Sequence, residues 1–173
     1  MLKSVLFGAV ALSLAGCATV DVASYRSERP PLDLAEYFNG TVDGWGMFQD
    51  RSGQVVRRFT VRIDAKWDGN RGTLDEHFEF SDGEKQNRVW TLVRDGDRYT
   101  GTAGDVVGTG QGIQQGNAFN LRYVLRVPWA GRTIDVDMDD WMWRIDGETV
   151  LNRTAMTKFG FRVGEVTLSL RKR

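Results

Sequence analysis

The side chains best suited to acid–base chemistry lie together in one short stretch, at Asp75, Glu76, His77 and Glu79. His77 is the only histidine among the 173 residues, so the chain can assemble neither a histidine-based metal site nor a serine–histidine triad. His77 lies on the polar side of a predicted strand, which favours a surface position over a role in proton transfer. Glu76 could pair with Asp75 or Glu79, but nothing distinguishes these carboxylates from ordinary polar strand positions. We therefore predict no catalytic residue, no metal and no cofactor.

Aspartates at alternate positions of a second predicted strand suggest a cation site, and they are Asp135, Asp137 and Asp139. An extended strand separates alternate carboxylates by roughly 6.6 Å, whereas calcium requires about six to eight oxygen ligands from a compact loop. A solvated outer face is therefore the preferred interpretation. Trp141 and Trp143 then lie on the side of the strand that the aspartates occupied, which suggests a β-bulge near Asp139 and Asp140 or a change from one wall of the fold to another.

Glycines are dense between residues 101 and 116, as they would be in a phosphate-binding loop. No Gly-Lys-Ser/Thr sequence follows and no helix is predicted there, so we reject that interpretation. Glycines within strands mark bends, bulges or close backbone approach. We predict such irregularities here, and the mouth of a ligand site stays open as an alternative.

Most of the chain after residue 39 shows the period-two alternation that is typical of half-buried β-strands. The clearest runs are 55–67, 74–80, 119–127 and 166–170. Short turn sequences separate the runs, with Asp-Gly pairs at 68–69, 82–83, 95–96 and 146–147. These pairs are strong hairpin signals because both residues tolerate positive φ, and they predict about nine or ten strands.

A long antiparallel meander leaves unpaired edges unless it closes into a barrel. We therefore predict an all-β fold, a single antiparallel up-and-down β-barrel of about 8–10 strands. A β-sandwich comes second because it usually needs longer crossovers, and the many Arg and Asp residues of the strands disfavour a transmembrane barrel. A barrel of this size is either filled by side chains or holds one small ligand. The candidate ligand-binding wall residues are Phe59, Phe78, Trp90, Tyr123, Trp141 and Trp143.

The N-terminal segment has the layout of an export signal, with Lys3, an apolar run and then small residues. Its end, Leu14, Ala15, Gly16 and Cys17, resembles a bacterial lipobox, in which the cysteine is lipidated and the chain is cut before it. The apolar run is too short for a transmembrane helix, and Cys17 has no second cysteine for a disulfide. Since Ala18 rather than Asp follows, we expect acyl chains on Cys17 to anchor the chain at the periplasmic face of the outer membrane.

The composition fits one domain and excludes some partners. Lys and Arg number 23 and Asp and Glu number 23, so no basic excess supports nucleic-acid binding. We assign 1–16 to the signal peptide, 17–31 to the lipidated N-terminus and a polar tether, and 32–173 to the barrel domain. Asp33 is expected to cap a short helical turn over 33–38. A protein partner cannot be named from the sequence.

Several sequence blocks are distinctive, namely 46–53, 74–78, 81–86, 99–108, 139–142 and 152–164. Together they resemble an uncharacterised family of proteobacterial lipoproteins, a domain-of-unknown-function family that is calycin-like, as lipocalins are. The resemblance covers about residues 38–170 and implies a barrel and an envelope location, but no catalytic residue. Gly44 and Trp45 near the start of the first strand are also loosely similar to the Gly-x-Trp opening of lipocalins.

The leading expectation is an outer-membrane-anchored periplasmic lipoprotein that binds a lipid or another apolar small molecule in its barrel. The first alternative is a non-enzymatic envelope interaction or structural lipoprotein with a side-chain-filled barrel. The second is an uncharacterised lipid-modifying enzyme, which two carboxylates converging in a pocket with perturbed pKa values would support. The state of the barrel interior separates these hypotheses.

Overall fold

The computed structural model describes residues 20–173, so the predicted signal sequence and Cys17 lie outside the described residues. A 3-10 helix, Val22–Tyr25, and a short α-helix, α1 (Leu34–Tyr37), precede the strands. The strands are β1 (Gly40–Asp50), β2 (Val55–Asp68), β3 (Arg71–Phe80), β4 (Lys85–Asp95), β5 (Arg98–Thr102), β6 (Val106–Gln115), β7 (Ala118–Trp129), β8 (Arg132–Arg144), β9 (Thr149–Lys158) and β10 (Phe161–Lys172). No helix in this part of the chain is long and apolar enough to cross a membrane.

All ten strands form one closed barrel in which each strand pairs antiparallel with the next. The last strand, β10, pairs with β1, and this ladder runs from Val42 opposite Lys172 to Asp50 opposite Gly164. Closure gives every described strand two neighbours, although the first half of β4 is unpaired on one side, and such closure is the outcome that the alternating pattern favoured. The prediction of an all-β up-and-down barrel is confirmed.

Tight turns join the strands where the sequence predicted hairpins. Gly69, Gly96 and Gly131 have positive φ values of 56°, 59° and 76°. Such conformations are accessible to glycine at little cost, so the short connections can reverse the chain without strain. The bulge expected in the glycine-dense segment is also present, because the β6–β7 register shifts between Val107 and Gln111.

One end of the barrel, here called the helix end, is closed by α1. The Asp33 carboxylate caps this helix by accepting a hydrogen bond from the Glu36 backbone N–H at 3.0 Å, as predicted. Tyr37 is fully buried, and its hydroxyl donates to the Glu148 carbonyl at 2.9 Å in the β8–β9 turn. Phe38 is 2% exposed and packs in the core. The opposite end is formed by the turns that follow the odd-numbered strands, from the β1–β2 turn to the β9–β10 turn.

The described part of the predicted tether packs on the outside of the barrel. Tyr25 lies against Trp141 and Trp143, with ring centroids 6.0 and 6.3 Å apart. Gly116 is required at this contact, since a Cβ there would lie 1.7 Å from the Tyr25 carbonyl oxygen. Val22 is buried as well. Residues 20–31 of the segment assigned to the tether therefore dock on the barrel, because apolar side chains in this polar stretch pack against its outer face.

The predicted bulge near Asp139 and Asp140 is wrong. The β7–β8 register is continuous from Ala118 opposite Trp143 to Trp129 opposite Arg132. Regular alternation therefore carries through the strand, so Asp140 points into the barrel and Trp141 points out of it. The apparent change of phase in the sequence reflects a polar residue inside and aromatic residues outside.

Candidate functional site

A cavity of about 130 Å³ lies inside the barrel, between α1 and the opposite end. Leu34 and Phe38 form its floor, and strands from all sides of the barrel contribute its wall. Two clusters of buried apolar side chains pack in the interior, a large one and a smaller one of Leu125, Val136 and Met138. For scale, an engineered apolar cavity of roughly 150 Å³ binds benzene. The cavity therefore has room for one ring or a short alkyl segment.

Four of the six predicted wall residues line this cavity: Phe59, Phe78, Trp90 and Tyr123. Phe59 and Phe78 are in contact at 5.7 Å between centroids, and Trp90 meets Tyr123 edge to face at 5.2 Å. Such edge-to-face geometry is the favoured arrangement of aromatic pairs. Aromatic faces therefore make up much of the wall, and their role in ligand binding stays a prediction.

The placement of Trp141 and Trp143 in the cavity wall was wrong. The two indoles stack on each other on the outer face of β8, with centroids 5.8 Å apart and planes 10° apart. The docked Tyr25 partly covers them. They hold the N-terminal segment to the barrel and do not contribute to the cavity.

Polar side chains also line the cavity, and the sequence interpretation missed them as a group. They come from five strands and are Glu76, Arg88, Tyr123, Asp140, Asn152 and Thr154. The strand register accounts for their proximity, because Glu76 lies opposite Arg88 and Asp140 lies opposite Thr154. The alternation of the sequence could have revealed Glu76, because it lies on the same inward side of β3 as Leu74 and Phe78.

Arg88 occupies a split in the barrel wall. The strand β5 is short, so β4 pairs with it only over residues 91–95, and the first half of β4 has no partner on that side. There the Arg88 guanidinium binds the Asp105 carboxylate bidentately, with Nε to Oδ1 at 3.0 Å and Nη2 to Oδ2 at 2.7 Å. Burial opposes the charge of Arg88, but the hydrogen bonds to Asp105 and the charge of Glu76 outweigh it and raise the pKa of Arg88. This ion pair closes the split.

The two carboxylates that face the cavity hold protons more tightly than exposed ones. Burial raises the pKa of Glu76 to about 7, against the influence of Arg88. Burial also raises the pKa of Asp140 to about 6, although hydrogen bonds from Asn152 and Thr154 favour its charged form. The charge of Asp140 also raises the pKa of Glu76, and the charge of Arg88 lowers the pKa of both carboxylates. The cavity therefore contains groups that can accept hydrogen bonds or exchange a proton near neutral pH.

His77 and the aspartates at the alternate positions lie outside the barrel. His77 Nε2 is 3.4 Å from Asp75 Oδ1 on an exposed surface. Asp135 and Asp139 pair with arginines of β7 on the outer wall. Among residues 20–173, no group of three or more His, Cys, Asp or Glu side chains could hold a metal ion.

The closed antiparallel barrel, with a helix across one end and an internal aromatic cavity, defines a lipocalin-like β-barrel protein. Residues 11–172 match the family described as "Protein of unknown function (DUF3833)", and the chain belongs to that family. The resemblance to a domain-of-unknown-function family with a lipocalin-like fold is thereby confirmed. None of the curated proteins matches the chain in sequence.

Two solved structures have a similar fold. The S-type phycobiliprotein lyase CPES from Guillardia theta is 13% identical with a TM-score of 0.57, over 80% of this chain and 90% of the lyase. A protein of unknown function from the DUF3598 family of Nostoc punctiforme is 15% identical with a TM-score of 0.61. That alignment covers 84% of this chain and 51% of the DUF3598 protein, so this chain spans about half its length. At these identities the likeness concerns the fold alone.

Proposed function

We propose that this protein binds a small apolar molecule in the cavity of its barrel. The observation that carries the proposal is the internal space of about 130 Å³ between aromatic walls and the α1 floor. Apolar surface that leaves water for such a space contributes about 25 cal/mol per Å², before ordering costs. The space admits a ring-sized group, so a longer ligand would extend beyond it.

Toluene is a suitable probe because its size matches the cavity. The chain from residue 18 contains the whole closed barrel and its core, and it can be titrated while amide signals are followed by NMR. We expect shifts at cavity-lining residues, and native mass spectrometry of the purified protein should detect a co-purified apolar molecule. Absence of both would refute the proposal.

A filling substitution gives a matched control. Val166 is 9% exposed and lines the cavity, whereas Val89 is 46% exposed and faces outward. Val166→Phe should weaken toluene binding by about tenfold or more because the new ring occupies the space, and Val89→Phe should leave it unchanged. Equal binding by both variants would place the toluene site elsewhere.

We propose further that Cys17 carries a lipid anchor in the outer membrane. The lipobox-like sequence at 14–17 supports this, and the docked segment adds a geometric consequence. From Cys17 to Val22 the chain can span roughly 17 Å at most, so the anchor would hold the barrel close to the bilayer. Cys17→Ser should release the protein from membranes, and mass spectrometry of the wild-type N-terminus should find acyl chains. A wild-type chain without acyl groups would contradict the anchor.

The pair of cavity carboxylates favours a second candidate function, an enzyme that transfers a proton within the cavity. Glu76 is suited to this role because its pKa of about 7 allows it to accept and release a proton near neutral pH. Incubation with an envelope lipid extract, followed by mass spectrometry, should then reveal a product that is absent with Glu76→Gln. Identical extracts before and after incubation would leave binding as the function.

A further inference from the structure

Glu76 contains a buried hydrogen-bond acceptor that has no partner. Its Oε2 atom is buried in the cavity wall and accepts no hydrogen bond. Native proteins pair most buried polar atoms, because an unpaired one costs about 1–3 kcal/mol. The exception therefore requires an explanation in this cavity.

The two nearest polar side chains, Arg88 and Asn152, are engaged elsewhere, and the Trp90 indole N–H, which lowers the pKa of Glu76, forms no hydrogen bond with Oε2. The Nε and Nη2 atoms of Arg88 donate hydrogen bonds to the Asp105 carboxylate. The remaining Nη1 atom is 3.7 Å from Glu76 Oε2, which is too long for a hydrogen bond. Asn152 donates to Asp140 Oδ1 and to the Trp141 carbonyl. An amide nitrogen has two hydrogens, so neither remains for Glu76.

The charges of the cavity are also unbalanced. Arg88 is the one cationic side chain among the described residues that line it, and Asp105 neutralises Arg88. Arg88 also lies within ion-pair distance of Glu76, so one guanidinium is shared by three carboxylates, those of Asp105, Glu76 and Asp140. Burial of such groups is expensive unless a hydrogen bond or an opposite charge compensates it.

We infer that the cavity takes a ligand whose buried end is apolar and carries a hydrogen-bond donor, a hydroxyl or a primary ammonium group, which Glu76 accepts. This inference rests on the proposed binding function and specifies its ligand class. The donor binds the Glu76 carboxylate, which lacks a hydrogen-bond partner at Oε2, and an ammonium group also balances the charge. A carboxylate head is disfavoured, since it would lie beside Glu76 and Asp140 while Arg88 is held by Asp105.

Four probes with one ring and different head groups test the inference: benzyl alcohol, benzylamine, toluene and benzoate. NMR titration of the chain from residue 18 gives a dissociation constant for each. We expect benzylamine and benzyl alcohol to bind about tenfold or more tightly than toluene, and benzoate to bind most weakly. Equal affinities for all four would overturn the inference while cavity binding stands. Tightest binding of benzoate would overturn it in favour of Arg88 as the anchor.

Two substitutions on β3 assign the effect to Glu76. Glu76→Gln keeps the shape of the side chain but replaces the two acceptor oxygens of the carboxylate by an amide. It should reduce the preference for benzylamine over toluene about tenfold and leave the affinity for toluene unchanged. Glu79→Gln changes an exposed carboxylate on the opposite face and should keep the preference of the wild type. A preference that survives Glu76→Gln would refute the assignment. If none of the four probes binds the wild type, the proposed function itself fails, and this inference fails with it.

Discussion

Replacing Glu76 with glutamine is expected to stabilise the protein at neutral and alkaline pH. Burial raises the pKa of Glu76 from 4.5 to about 7, so the folded protein holds this proton more tightly than the unfolded chain does. Ionisation of Glu76 therefore destabilises the folded protein. This destabilisation is absent below pH 4.5, grows as the pH rises towards 7, and is complete above pH 7. One pKa unit corresponds to about 1.4 kcal/mol, so the ionised carboxylate lowers the free energy of unfolding by about 3 kcal/mol.

Urea unfolding of the wild type and the variant at about pH 5 and about pH 8 measures this effect. The difference in unfolding free energy between the two proteins removes the contributions of groups that do not interact with Glu76, and what remains reports Glu76 together with its coupling to Asp140. We expect Glu76→Gln to gain stability relative to the wild type as the pH rises. Glu79→Gln is the control, because the Lys85 ammonium lowers the pKa of that exposed carboxyl and it stays ionised over this range.

The refuting result concerns the pH dependence rather than the absolute stability. A glutamine amide can gain or lose a contact and shift the stability by the same amount at every pH. If the difference between variant and wild type is equal at both pH values, Glu76 does not titrate as a buried group. The assignment of an unpaired buried carboxylate in the cavity would then be wrong.

Two further substitutions test the contacts around the barrel wall. Gly116→Ala should destabilise the protein by about 2 kcal/mol in urea unfolding, because its φ is +54° and the added Cβ meets the docked N-terminal segment. Gly69→Ala is the control because its φ is +56° while a Cβ there has open space, and equal effects of the two substitutions would contradict the docking. Asp105→Asn should lower the free energy of unfolding by about 1–2 kcal/mol, because it weakens the ion pair with Arg88. The loss is no larger because both side chains of this pair are partly exposed. Asp137→Asn on the exposed outer wall should change the stability little, and a similar loss there would show that the Arg88 pair contributes nothing specific.

The barrel was predictable because its signals are local. Alternation assigns each residue of a strand to one of two faces, and the turn glycines mark where the chain reverses. The docking of the N-terminal segment was not predictable in this way. Tyr25 lies in a polar stretch without a period, and its partners Trp141 and Trp143 are more than a hundred positions away in sequence. Large aromatic residues were therefore assigned to the interior, although a neighbouring segment covers them on the outside.

The positions of the polar residues in the cavity could be predicted from the sequence, but their hydrogen-bond partners could not. Parity alone places Glu76 with the inward residues of β3, and the uninterrupted register of β8 places Asp140 inside as well. Parity cannot show which donors remain for them, because Arg88 is engaged by Asp105 from a turn that reaches it only when the barrel closes. The free acceptor at Glu76 is therefore a property of the closed fold. Because burying an uncompensated carboxylate destabilises a protein, its presence beside an apolar cavity is best explained by a ligand that supplies the missing donor.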